Sequence, residues 1–249
     1  MNRKLLYLLA GLGGAGAVVL LARRILARLY PVPYQWIDIL KSAEVGPVQV
    51  CDALTGVTQA IKVELNYLSP SGDNRIFYEL FRADEEVVSG AIDLSQTPPE
   101  AIWGYAEGAF STVEIDRAKL YAGLMNWPLR IFQARLRRPD GSYFALSGDV
   151  LPEPVEICHL TFPESKIDLI EFDYVTPNSP ARLEFVLKHL GSVVFDASVE
   201  LPQAPYTGQL PHHTLPVSPA VLADEVLILG GSLTPPFSVY NIRARKLLS

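Results

Sequence analysis

The chain repeats itself at a spacing of 107 residues, and a duplication of that length limits the fold more than any single motif. Pro47-Val48-Gln49-Val50-Cys51 returns as Pro154-Val155-Glu156-Ile157-Cys158. Val63-Glu64-Leu65-Asn66-Tyr67-Leu68-Ser69-Pro70 returns as Ile170-Glu171-Phe172-Asp173-Tyr174-Val175-Thr176-Pro177. Arg75, Leu80, Val87 and Leu94 meet Arg182, Leu187, Val194 and Leu201 with no gap between. Ten of the forty-eight aligned positions are identical, against about three expected by chance at average composition. Two copies of one unit in series therefore account for most of the 249 residues, a length that suits two domains of about 100 residues each. The expected boundaries are 47–152 and 153–249, preceded by an apolar segment (1–29) and a neck (30–46).

The segment before the copies is of another kind. Leu5 to Ala22 is uncharged, lacks proline and is rich in Leu, Gly, Ala and Val. Eighteen residues at 1.5 Å rise give roughly 27 Å, enough for a hydrocarbon core. Leu5, Leu9, Gly13, Gly14, Val18 and Leu21 are the expected anchor residues. Arg23, Arg24 and Arg28 follow, then Tyr30, Tyr34 and Trp36, side chains suited to a membrane–water interface. No clean small-x-small cleavage site follows the apolar run before the arginines, so an uncleaved single-pass anchor is favoured over a secretory signal. Trp36–Lys41 is read either as a short interfacial helix or as the first packed turn of the domain. Bases on both flanks leave orientation nearly balanced, and a tandem β stalk tilts it toward the extracytoplasmic side.

Charge removes one class of partner. Five bases and no acid lie within residues 1–29, leaving 16 bases against 27 acids beyond them. A body that acidic is a poor ligand for nucleic acid. Cys51 and Cys158 occupy equivalent positions, one per copy, and read as small buried hydrophobes on opening strands rather than a disulfide or metal pair.

Each copy reads as a series of strands. Ile61–Leu68 alternates, with Ile61, Val63, Leu65 and Tyr67 on one face and Lys62, Glu64 and Asn66 on the other. Proline-rich turns follow at Ser69–Asn74 and Thr176–Pro180, then strands at Arg75–Phe81 and Glu86–Leu94 and their counterparts. Ser111 with Glu114, closed by Gly123, and Ser218-Pro219, closed by Gly230, predict one short helix per copy. Val226–Leu229 also fits a buried strand. The last shared strand slips by one residue, so Arg135 and Arg137 match Arg243 and Arg245. The first copy adds Pro139-Asp140-Gly141 and Tyr143–Ser147, which is either a closing strand or a linker. If it closes the first copy, Phe237, Val239, Ile242 and Arg243 of the second would form an unpaired edge open to a partner strand.

This order of strands resembles tandem immunoglobulin-like and fibronectin type III modules, although Trp103 and Trp127 do not sit at the core-tryptophan position and no cysteine pair is present. The resemblance implies a mainly β chain of two sandwich-like domains serving adhesion or assembly. No Gly-x-Ser-x-Gly elbow, Walker loop or His-Glu-x-x-His motif occurs. Glu64 and Glu171 recur, as do Arg75 and Arg182, which suggests a cross-strand charge pair. His212-His213 are adjacent on a strand and face apart, a poor chelate. No catalytic residue, cofactor or metal is therefore expected. The favoured reading is a membrane-anchored structural or accessory subunit whose partners are the bilayer and other membrane proteins of a larger complex. One alternative is a glycan- or small-ligand-binding module, with Trp103, Tyr105, Tyr206, His212 and His213 in equivalent long connections. A further alternative is an enzyme whose site is scattered through the sequence.

Overall fold

The computed structural model describes residues 33–248, which are mainly β and form two six-stranded antiparallel sheets. The first copy contains β2 (Val48–Leu68), β3 (Asn74–Arg82), β4 (Glu85–Leu94), β5 (Gly104–Gly123), β6 (Arg130–Arg137) and β7 (Tyr143–Ser147). Its sheet runs β4-β3-β5-β2-β6-β7. The second copy contains β8 (Val155–Val175), β9 (Ala181–His189), β10 (Ser192–Leu201), β11 (His212–Ser232) and β12 (Phe237–Leu247). Its sheet runs β10-β9-β11-β8-β12 and is completed by β1 (Tyr34–Val45), from the neck. The two sheets have the same strand order, and the burial patterns of β4 and β10 are identical along their lengths.

Each copy is one continuous sheet folded over on itself, where an immunoglobulin-like sandwich has two separate sheets. The fold lies along the long β2–β5 ribbon. Its ladder shifts register between Leu54 and Thr58 and again between Ala60 and Lys62. Gly56, at positive φ, occupies the bend. The first half of β2 joins β5, β3 and β4 in one layer, and its second half joins β5, β6 and β7 in the other. Alternation along Val63, Leu65 and Tyr67 turns one face inward onto residues from the opposite layer. The Tyr78 and Phe110 rings meet across the layers at 5.8 Å, as do Phe172 and Phe185 in the second copy at 5.3 Å. The buried core of each copy is built from its own sheet, with Leu124 and Leu129 of the β5–β6 connection added in the first copy. A fully buried Leu, Ile or Phe in such a core contributes about 1.5–3 kcal/mol.

Three expectations are corrected. The helices expected at Ser111–Gly123 and Ser218–Gly230 are strand, within β5 and β11, and no helix is present among the described residues. Ala118, Leu120 and Ala122 are buried at every second position, so period two prevails over the local capping pattern. Glu114 does not cap a helix; it pairs with Arg82 at 2.9 Å. The neck segment Trp36–Lys41 is likewise strand, inside β1.

The third correction concerns the proposed open edge at Phe237, Val239, Ile242 and Arg243. The chain fills it with its own β1, which pairs antiparallel with β12 from Tyr34↔Leu247 to Val45↔Phe237. Phe237, Val239 and Ile242 are buried, and Arg243 lies opposite Asp38. An edge strand leaves backbone donors and acceptors unpaired, and a segment of the same chain satisfies them without the entropic cost of association. The β1 strand occupies the position that β7 holds in the first copy, so Tyr143–Ser147 is a closing strand.

The anchor residues Leu5, Leu9, Gly13, Gly14, Val18 and Leu21, with Arg23, Arg24, Arg28 and Tyr30, lie outside the described residues. No helix among the described residues is long and apolar enough to cross a membrane.

Candidate functional site

The outward face of the β5-β2-β6-β7 layer carries an ordered set of polar side chains, and the second copy presents the same positions. Pairing aligns Tyr105, Asn66 and Gln133 in one row across three strands. The next row holds Glu107, Glu64, Arg135 and Ala145, and the one beyond it Lys62, Arg137 and Tyr143. In the second copy His212 pairs with Asp173, which Asn241 reaches from the register shift after Tyr240; the next rows hold Glu171, Arg243 and Asp38, then Arg245 and Trp36.

A carboxylate held by arginine is the fixed part of both. The Glu64 side chain is only 2% exposed although it lies on the outward face. Arg137 donates to both of its oxygens, at 2.9 and 3.0 Å, and Arg135 donates to Oε2. Lys62 Nζ lies 3.4 Å from Glu64 and 2.7 Å from Glu107. Burial alone would raise the Glu64 carboxyl, but the hydrogen bonds and charge of Arg137 and Arg135 outweigh it and hold it at about 2. In the second copy Arg243 donates to Glu171, while Arg245 forks onto Asp168 with two bonds of 2.8 Å. Aromatic rings from the sixth strand cover the guanidinium groups: Tyr143 over Arg135 in the first copy, Trp36 over Arg243 in the second. Trp36 thus belongs to this cover, and Tyr34 stacks beside it, 5.4 Å from Arg245.

The sequence suggested that Glu64 and Arg75 recur as a pair. The structure gives each another partner. Arg75 bonds Asp93 at 2.6 Å and reaches across to Thr234 of the second copy at 3.2 Å. Its counterpart Arg182 lies 4.2 Å above the Trp127 ring of the first copy, and the Trp127 indole donates to Glu184. The repeated arginines therefore hold the two copies together. Gly123 abuts the Leu233 carbonyl and Gly231 the Leu124 carbonyl, a reciprocal contact of the kind a twofold axis produces.

Above the ion-pair row, the two copies diverge. In the first, Trp103 and Tyr105 are 58% and 52% exposed and stand beside Asn66 and Gln133. Partial burial, the bond to Glu107 and the nearby carboxylates push the Tyr105 hydroxyl up to about 12, so it remains a proton donor. In the second, Asp173 accepts from Asn241 at 2.9 Å and contacts His212 Nδ1 at 2.8 Å. His213 points the other way and packs on Phe172, where burial, with the neighbouring His212, lowers its pKa. Tyr206 is exposed and bonds the Gly208 carbonyl; it lines neither groove. Burial raises the Cys51 thiol to about 11 and shifts Cys158 in the same direction, so neither is a ready thiolate. Reading by motif missed the Glu–Arg–aromatic cluster; its signal was the recurrence of Glu64 with Arg135 and Arg137 once the one-residue slip is applied.

No family model and no curated protein sequence matches this chain. Among solved structures, the chain is similar to the infectious bursal disease virus Gt strain structure at 9% identity, covering 86% of this chain and 72% of that one with a TM-score of 0.26. The VP2 subviral particle of the same virus gives 9% identity, the same coverage and a TM-score of 0.28. A putative alpha-L-fucosidase from Bacteroides ovatus gives 11% identity over 88% of this chain and 39% of that one, with a TM-score of 0.20. Overlaps at this level carry no inference about the chain.

Proposed function

We propose that the chain is a non-enzymatic, single-pass membrane-anchored structural subunit that holds a rigid pair of β units against partner proteins of a membrane complex. The observation that carries this reading is β1. It follows the apolar N-terminal segment and is stitched to β12 through ten registered residue pairs, so that from Tyr34 onward the chain is part of the sheet and not a loose stalk. A module fixed in that way presents the same faces to its neighbours at all times, as an assembly role requires. In this reading the β units lie on the extracytoplasmic side.

Cross-linking in the native membrane, from single cysteines introduced at Leu54, Leu151 and Leu190, tests this. These three positions are exposed. Discrete adducts to the same integral membrane protein, together with protease protection of the β units in sealed cytoplasmic-side-out vesicles, are the expected result. A lone monomer in mild detergent with no site-dependent adduct would defeat the proposal.

A further inference from the structure

Both copies carry an outward groove, but in the second, a cavity of about 510 Å³, the lining side chains Asp173, His212 and Asn241 bond one another, whereas in the first the corresponding amides are left free for a ligand. This goes beyond an assembly role and does not depend on it. In the second copy both oxygens of Asp173 are taken, one by His212 and one by Asn241. In the first copy Asn66 replaces Asp173, and among the described residues its amide has no side-chain hydrogen-bond partner. The Gln133 amide oxygen has only a 3.4 Å contact from Arg135, and its NH2 group is unengaged among the described residues. Two neighbouring strands thus offer donors and acceptors outward from one row.

An apolar wall stands beside these amides. Trp103 leaves the connection before β5 with its ring exposed, and Tyr105 adds a second ring and a hydroxyl. The cleft runs on between Trp103 and the β6–β7 strands, where Phe132 and Ala145 line it, and its two sections hold about 470 and 560 Å³. Volumes of this order suit a small ligand. The guanidinium that lines the cleft, Arg135, donates to Glu64, so the one ionic side chain in the lining already has a charged partner. Exposed aromatic faces next to free amides match a molecule with one apolar face and a rim of hydroxyls. We infer that the groove formed by Asn66, Trp103, Tyr105 and Gln133 binds uncharged pyranose units of a glycan, one ring stacked on Trp103 and its hydroxyls bonded to Asn66 and Gln133.

The test uses the full chain in a detergent without a sugar headgroup. Maltotetraose, mannotetraose and the tetramer of N-acetylglucosamine are titrated separately, followed by calorimetry and tryptophan fluorescence. At least one should saturate with a Kd of about 1 mM or tighter. Trp103→Ala and Asn66→Ala should each weaken it by about tenfold or more, with unchanged melting temperature because Trp103 is exposed and Asn66 lies on the outward face. Asp173→Asn and His212→Ala should leave it unchanged. No saturation with any of the three up to about 20 mM, or equal binding by Trp103→Ala, would overturn the inference.

Discussion

Glu64 sits on the face of β2 that the alternation of its neighbours assigns to solvent, yet it is buried. The long side chains of Arg135 and Arg137 lie over it and turn an outward position into a covered ion pair. Alternation between Ile61 and Leu68 can be read from neighbouring residues alone. The cover cannot, because it comes from 71 and 73 residues further along the chain. The pair has a consequence in acid. A free glutamate carboxyl titrates at 4.5 and the folded Glu64 at about 2. Between these values the unfolded chain binds a proton that the folded one refuses, so stability falls as pH drops through this window. Above pH 4.5 both states are ionised and the full contribution is present. Glu64→Gln is expected to lower stability at pH 7 by about 2 kcal/mol and to flatten part of the fall in melting temperature between pH 5 and pH 2. A melting profile as steep as that of the parent would show that other carboxylates dominate.

At the level of elements, β1 departs most from what a local reading gives. Its apolar positions, Ile37, Ile39 and Val45, are compatible with an interfacial turn when read in isolation. Their partner strand begins at Phe237, about two hundred residues away, and no short-range pattern points there. The expected helices failed for a related reason: Ser111, Glu114 and Gly123 match a capping rule locally, while pairing with β2 and β3 along β5 satisfies the same backbone groups as sheet. Strand position in the repeat, the turns and the one-residue slip were all within reach of the sequence, because the duplication supplies two readings of each. Ile39 offers a direct check. It is buried in the core of the second copy although it lies in the neck. Ile39→Ala should cost about 2–4 kcal/mol in chemical denaturation, as a core truncation does. A loss below about 0.5 kcal/mol, the usual size of a surface change, would mean that β1 is not built into that sheet.

On the scale of the whole molecule, the copies are related but not independent. Arg75 and Arg182 each reach into the other copy, and Gly123 and Gly231 allow the two backbones to approach. That the arginines recur was visible in the sequence; that their partners lie in the opposite copy was not, since a repeated residue fits a contact inside each unit equally well. Retained framework and altered lining also separate at this scale. Both copies keep the carboxylate–arginine cluster, while the row above it changes from Asn66, Tyr105 and Gln133 to Asp173, His212 and Asn241. A duplicated scaffold can diverge in this way, one copy preserving its packing while the other acquires a different surface chemistry.

Because β1 is joined to β2 through only Gly46 and Pro47, the first half of the polypeptide carries a strand that completes the second. A protease nick between Gly148 and Glu153 should therefore leave two fragments that migrate together until denaturant is added. The piece from Pro154 onward, produced alone, should expose the flank of β12 and precipitate, and mixing it with residues 33–147 should return it to solution; separation of the nicked halves in plain buffer would argue against this interlock.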